Sequence, residues 1–293
     1  VRAGQLRILG AVAVTAAAFH LPAAAQDKPT PENAPYAPFR IAEGLYYVGA
    51  ADYAAYLLTT RAGLIVIDGG DAITGRQVVA NIRALGFDPK NIKVLVNSHQ
   101  HFDHAAGLAE LKKAAPGAKL YVSAPDAPII EAGGKGDPYL KGPEWEYEPT
   151  KVDVILKDGQ KISLGGVTLT AHITPGHTKG CTTWTFPVRV AGKVRQALVH
   201  CSSSVLPGYR LVAPETYPGM AADYEKSHRF WLNAPCEVFL ASHTRFFGLD
   251  AKKKALDAGK ADAFVDPQGC KAYYQASYKS FRDTLARQQA AAR

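Results

Sequence analysis

Apolar and polar positions fall into short blocks along this chain, and the period of the blocks changes repeatedly between two and about 3.6. Ile92 to Val96 is an apolar run of strand length, and Ala105 to Ala115, with Leu108 and Leu111, follows it as a helix. Upstream, Tyr53 to Thr59 and Leu64 to Ile67 read as strands joined at Arg61-Ala62-Gly63. The second closes on Asp68-Gly69-Gly70, where glycine permits a tight approach of backbone to its neighbours. Gln77 to Leu85 carries Val78, Val79, Ile82 and Leu85 at helical spacing. The succession is β-β-α-β-α, preceded by a Pro-rich arm, Lys28 to Pro38, too poor in apolar residues for a core element and expected to lie on the surface as a strap.

Beyond the Ala105 to Ala115 helix, Ala118 to Val122 predicts a strand and Pro125 to Ala132 a short helix. Residues 133–150 form a long irregular piece with Tyr139, Trp145 and Tyr147 set among glycines, suited either to a flap over a site or to a surface excursion. From Val152 the pattern is strand-rich, with turns at Asp158-Gly159 and Gly165-Gly166, and Val167 to Ile173 leads into Thr174-Pro175-Gly176-His177. Thr182 to Pro187 and Gln196 to Cys201 pair around Ala191-Gly192-Lys193. Tyr224 to Leu232 is helical, Glu237 to Leu240 is a short buried strand, and helices are expected over Ala251 to Leu256 and Ala272 to Arg287. Strands and helices alternate through both halves, which predicts an α/β fold with two β-sheets packed face to face and helices outside.

The N-terminus changes the picture of where such a chain works. Arg2 and Arg7 precede an apolar stretch from Ile8 to Ala18 and then Pro22-Ala23-Ala24-Ala25, the pattern of a secretory signal peptide over residues 1–25. No later stretch approaches the roughly 20 apolar residues that a membrane span needs. Residues 26–293 are expected to form one periplasmic domain. Without the leader the formal charge falls from +8 to +6, scattered apart from Lys252-Lys253-Lys254, which reads as a solvated helix face and not as a nucleic-acid footprint. All 4 cysteines, Cys181, Cys201, Cys236 and Cys270, lie in the second half, and an oxidising destination favours pairing without choosing the partners.

Candidate chemistry concentrates where strands end. Val94 to Gly107 reads VLVNSHQHFDHAAG and sets His99, His101, Asp103 and His104 on a strand-to-helix loop. The chain has 9 histidines, and three of them fall in this loop. Two more strands end at His177 and His243; His20 lies in the leader, and His172, His200 and His228 read as ordinary structural or surface residues. His99 and His101 can turn to one ion, and Asp103 and His104 can face a second. Asp68, at a strand end, is expected to orient a ligand histidine or to cap its turn. Cys201, two residues from Ser203, is a competing soft ligand.

The pattern His99-x-His101-x-Asp103-His104, then His177 in PGHT, then His243 after a short strand, resembles the metallo-β-lactamase superfamily, and within it the class B, subclass 3 enzymes. The resemblance extends over essentially the whole chain after the leader. It implies a four-layer αβ/βα sandwich and two zinc ions, one held by His99, His101 and His177, the other by Asp103, His104 and His243. It implies hydrolysis of a β-lactam amide by a metal-bound hydroxide that Asp103 orients, in a monomer acting on a small molecule, and hence antibiotic resistance. Ser203 falls where a serine helps hold the substrate carboxylate, whereas Val205 and Asn33 stand where some members carry a second serine and an arm tryptophan. A Cys236–Cys270 disulfide is also implied, and pairing of Cys181 with Cys201 stays open. Thioesterases, lactonases and nucleases of the superfamily usually add an acidic residue before Ser202, where this chain reads Leu198-Val199-His200-Cys201. A zinc-storage protein is the non-enzymatic alternative.

Overall fold

The computed structural model describes residues 28–293, so the leader read in residues 1–25 lies outside the described residues. Strand β4 (Gly63–Ile67), which follows β1 (Phe39–Ala42), β2 (Leu45–Tyr47) and β3 (Tyr56–Thr60), shows why the layers form. Its side chains alternate between two faces, as the strand period requires. Ile65 and Ile67 enter the core between the sheets, whereas Leu64 and Val66 meet Val78, Val79 and Ile82 of helix α1 (Ala72–Ala84) on the other side. Strand β5 (Ile92–Val96) divides the same way, with Val94 and Val96 inside and Leu95 facing the helices. A strand apolar on both faces needs cover on both.

The first sheet runs in spatial order β1-β2-β3-β4-β5-β6-β7, with β6 at Lys119–Ser123 and β7 at Val154–Leu156. It is antiparallel up to β4 and parallel from there. Two short helices, α2 (Phe102–Ala105) and α3 (Leu108–Ala114), follow β5, and α4 (Ala127–Glu131) follows β6. The second sheet contains β8 (Lys161–Leu164), β9 (Val167–Ile173), β10 (Thr182–Val190), β11 (Lys193–His200) and β12 (Val238–Ala241), in the order β12-β11-β10-β9-β8. Helices α5 (Met220–Trp231), α6 (Leu249–Asp257) and α7 (Pro267–Ala291) complete the sandwich. Trp231 of α5 stacks on Tyr274 of α7 at 5.7 Å, closing this side of the core. The expected four-layer α/β sandwich is present.

Four local expectations are revised. The hairpin β1–β2 precedes the strands read from the sequence; it turns at Gly44, whose φ of 72° suits glycine. The helix expected over Ala105 to Ala115 is two helices, because Gly107 lies against the Asp68-Gly69-Gly70 turn: its N–H donates to Gly70 O at 2.9 Å, and a Cβ there would stand 2.1 Å from Gly69 O. Strand β10 continues beyond Pro187, since β9 pairs with it only through Thr185 and leaves that edge without a hydrogen bond for proline to break. The arm is more than a surface strap. Asn33 is buried and its Nδ2 donates to Asp71 Oδ2 at 2.7 Å.

Both cysteine pairs are disulfides. Cys236–Cys270 closes a 34-residue separation and ties the entry of β12 to α7, worth about 3–4 kcal/mol in the chain-entropy picture. Cys181–Cys201 joins the start of β10 to the residue after β11. The soft thiolate ligand considered at Cys201 is thereby removed.

Candidate metal centre

The site is assembled at the ends of β5, β9, β11 and β12. After β5, the chain is turned by Asp68, whose buried Oδ1 accepts from Ser98 N at 2.6 Å and from Asn97 Nδ2 at 3.2 Å. Asp68 adopts a φ of 62°, uncommon outside glycine but tolerated by short polar side chains. The turn delivers His99 and then His101, whose backbone is extended, and the single turn of α2 places Asp103 and His104, with His104 N and Ala105 N both donating to His101 O. Gly176 precedes His177 with a φ of 147°, and a Cβ on it would meet Tyr224 Cδ1 at 2.8 Å, so the PGHT turn needs glycine. His243 lies two residues beyond the end of β12, after Ser242.

Every sequence-predicted ligand converges here. One nitrogen from each of His99, His101 and His177 forms a group within 4.8 Å, and His99, Asp103 and His104 form another. His104 Nε2 lies 3.3 Å from Asp103 Oδ2 and 3.2 Å from His243 Nε2, and His243 Nε2 lies 3.5 Å from Asp103 Oδ2. The inward nitrogen of His99, Nε2, is buried with no hydrogen-bond partner, a costly arrangement unless another electron-pair acceptor occupies the centre. Nitrogen and carboxylate donors in two groups of three suit zinc.

Each ring faces a polar group on its far side, and those of His177, His243 and His99 are within hydrogen-bond distance of it. His177 Nδ1 donates to Ser204 O at 2.8 Å, His243 Nδ1 to Asp52 Oδ2 at 2.9 Å, and His99 Nδ1 lies 3.1 Å from Ser98 Oγ. His101 Nε2 stands 3.5 Å from Asp137 Oδ2, and His104 Nδ1 stands 3.7 Å from Asp68 Oδ2. Such partners fix tautomer and ring orientation. Asp68 holds the turn with Oδ1, while its Oδ2 faces His104 Nδ1 from beyond hydrogen-bond distance.

Burial sets the protonation states. It lowers the His101 pKa to about 4 and those of His177 and His243 to about 3, keeping these lone pairs free of protons at neutral pH. His99 is pushed down for the same reason. For Asp103, burial opposes ionisation, yet His104 and His243 outweigh it and hold the carboxyl far below its usual range. His104 shifts upward, burial being outweighed by Asp103 and Asp68. Burial lifts Asp68 to about 6 against the pull of His104 and the Ser98 N–H.

A cleft of about 310 Å³ opens above the centre, with His101, Asp103, His177 and His243 among its lining residues. Phe102, Tyr139, Leu140, Trp145, Leu206 and Pro207 give it an apolar wall. The 133–150 segment thus contributes directly to the cleft, as a flap would, and it is anchored by Tyr147 Oη donating to Gln100 O at 2.6 Å. Ser202 and Ser204 line the cleft, whereas Ser203 is buried with its Oγ 3.2 Å from Tyr273 Oη. His200 and His228 pack among Trp231, Tyr274 and Phe281, and His172 bonds Thr185, all as structural residues.

Sequence reasoning did not find Asp52, Asp137, Tyr273 or Arg245. Asp52 carries a weak signal, a lone acid within the small and apolar stretch from Gly49 to Ala55, and Asp137 another, an acid between Gly136 and Pro138 in the suspected flap.

Comparison with known proteins agrees with this geometry. Residues 49–190 match the family model described as metallo-beta-lactamase superfamily. The native FEZ-1 metallo-β-lactamase from Legionella gormanii is 42% identical, with 89% of this chain and 99% of that one superposed at a TM-score of 0.86. The class B3 di-zinc metallo-β-lactamase LRA-12 from an Alaskan soil metagenome is 32% identical over 88% of this chain and 97% of its own, at a TM-score of 0.82. An N-acyl homoserine lactonase, AttM of Agrobacterium fabrum, is 27% identical over 53% of this chain and 69% of its length. The match to a probable metallo-hydrolase of Burkholderia pseudomallei spans only 35% of that protein. With near-complete coverage at 42% identity and the histidine and aspartate groups converging at the sheet ends, the chain belongs to the metallo-β-lactamase superfamily of hydrolases, with class B3 enzymes as structural neighbours.

Proposed function

We propose that this chain is an exported, two-zinc β-lactamase of subclass B3 that opens the amide of penicillins, cephalosporins and carbapenems and so confers antibiotic resistance. One observation carries the reading: two donor groups, His99-His101-His177 and Asp103-His104-His243, meet beneath a cleft of small-molecule size, where burial keeps His99, His101, His177 and His243 neutral and the neighbouring imidazoles keep Asp103 ionised. Zinc in such sites supplies a water acidified toward neutrality and a Lewis acid for the departing nitrogen.

The protein's own groups do the rest. Asp103 stays ionised, holds the second cation and orients the attacking water by accepting its hydrogen bond. Phe102, Trp145 and Leu206 cover the reacting face and exclude bulk water, which strengthens each charge interaction below them. Ser202 and Ser204 border the cleft, and Ser203, buried between them and paired with Tyr273, is the residue we assign to the substrate carboxylate. Export is supported by the leader pattern and by two disulfides, which persist in an oxidising compartment.

The AttM similarity supports a second reading, lactone hydrolysis. Against it stands the residue before Ser202, which is Cys201, locked to Cys181 and offering no bridging carboxylate. A panel of β-lactams and an N-acyl homoserine lactone, each incubated with zinc-loaded protein, separates the two. The proposal expects ring opening of the β-lactams; lactone opening with every β-lactam intact would replace it.

A further inference from the structure

Among the five imidazoles of the centre, His243 has the most fully built support. Its Nδ1 lies 2.9 Å from Asp52 Oδ2, 191 residues away in the chain. The other carboxylate oxygen, Oδ1, accepts from Thr244 Oγ1 at 3.2 Å and from Arg245 N at 3.2 Å. The Arg245 guanidinium pairs with Oδ2 from the open side. Arg245 Nη1 also stands 3.0 Å from His243 Nδ1, because both N–H groups are aimed at the same oxygen and neither at the other. The backbone of Asp52 is clamped as well. Its N–H donates to Glu32 O of the N-terminal arm at 2.8 Å, and its carbonyl accepts from Thr244 N at 3.0 Å. Arm, Asp52 turn and the residues after β12 thus form one connected support.

We propose that Asp52 is a positioning residue for the second cation: its carboxylate keeps the proton of neutral His243 on Nδ1 and so presents the Nε2 lone pair to the position shared with Asp103 and His104. Arg245 and the arm hold that carboxylate in place. The inference rests on the two-cation reading above. A purely structural role competes with it, since Oδ1 also caps the short 3-10 turn Thr244–Phe246. The two roles have different consequences. Loss of a cap weakens the whole fold and both sites together, whereas loss of the His243 partner weakens one site selectively.

Asp52→Asn separates them. The amide retains the shape of the carboxylate but offers an N–H to one side; set toward His243, it drives the ring proton to Nε2 and blocks the ligand atom. Zinc binding to the metal-free protein, titrated against a chromophoric chelator, is expected to show a second-site affinity about 10–100-fold weaker than wild type, with the first site changed less than about threefold. Cobalt substitution reads the same selectivity in the visible spectrum. Arg245→Gln, which leaves the carboxylate in place, is expected to lower second-site affinity by a smaller factor and covers the case in which Asp52→Asn fails to fold. Two wild-type-like affinities in both variants, or equal losses at both sites, would overturn the assignment of Asp52 alone. A wild-type protein that takes up a single zinc would overturn the two-cation reading and this inference with it.

Discussion

Ser203 and Asp126 show how a single side chain can be assigned by what it touches. The Ser203 hydroxyl is buried 3.2 Å from the Tyr273 hydroxyl, between Ser202 and Ser204, which line the cleft; in the proposed assignment it holds a substrate carboxylate without entering the reacting geometry. Contacts made equally in ground and transition states raise affinity and leave turnover alone. Ser203→Ala is therefore expected to raise KM about tenfold, the size of one hydrogen bond to a charged group, with kcat nearly unchanged; a selective fall in kcat in steady-state assays would contradict the assignment. Asp126 is buried beneath the histidine loop, accepting from Gly180 N at 2.9 Å, Thr178 Oγ1 at 3.1 Å and Gln100 N at 3.2 Å. Burial raises its pKa to about 7. Because the folded state holds this proton above the ordinary carboxyl range, the stability it contributes is complete below about pH 4 and is lost as pH rises to 7. Relative to Asp126→Asn, the wild type should gain melting temperature as pH falls from 7 to 4; a difference independent of pH would show an ordinary carboxylate. The six candidate ligand residues stood out in the sequence because their spacing is local or each follows a strand, and the fold brings them together. Asp52 and Asp137 were not, since their partnerships with His243 and His101 span distant segments and leave no local pattern.

At the scale of elements, boundaries failed where two backbones meet. The periodicity of Ala105 to Ala115 is genuinely helical, but Gly107 packs on Gly69 so closely that the helix must break and restart. No property of the helical stretch itself encodes that contact; the glycines of both segments hint at it only once they are known to be neighbours. Gly107→Ala should lower stability by about 1–3 kcal/mol, as overpacking does, and disturb metal uptake, because the same contact ties the Asp68 turn to α2. Denaturant unfolding and zinc titration of that variant provide the check, and wild-type values in both would mean the contact relaxes freely. The hairpin β1–β2 escaped notice for a different reason: at four and three residues its strands are too short for alternation to stand out. Pro187 misled in the other direction, since proline ends a central strand but is accepted at a position with no ladder partner, here between the last β9 pair at Thr185 and the Glu43–Arg189 bridge.

For the molecule as a whole, the α/β alternation and the strands apolar on both faces were sufficient to predict two sheets with helices outside, and the strand order then places all the candidate ligands at one end of the sandwich. The order itself was not legible, because hydrogen-bonded pairing between distant strands such as β4 and β5 or β11 and β12 depends on packing that only the folded chain displays. The proposed function rests on that common end: nucleophile activation, charge stabilisation and substrate holding need groups from both sheets, and among the described residues five imidazoles meet only there. The most direct test is the loss of carbapenem absorbance on adding purified, zinc-loaded protein, repeated after removal of zinc by a chelator and again after its return. Ring opening that disappears with the chelator, returns with zinc and resists inhibitors that acylate an active-site serine is the predicted result. A carbapenem left intact by the zinc-loaded protein, or opened equally well without metal, would contradict the account.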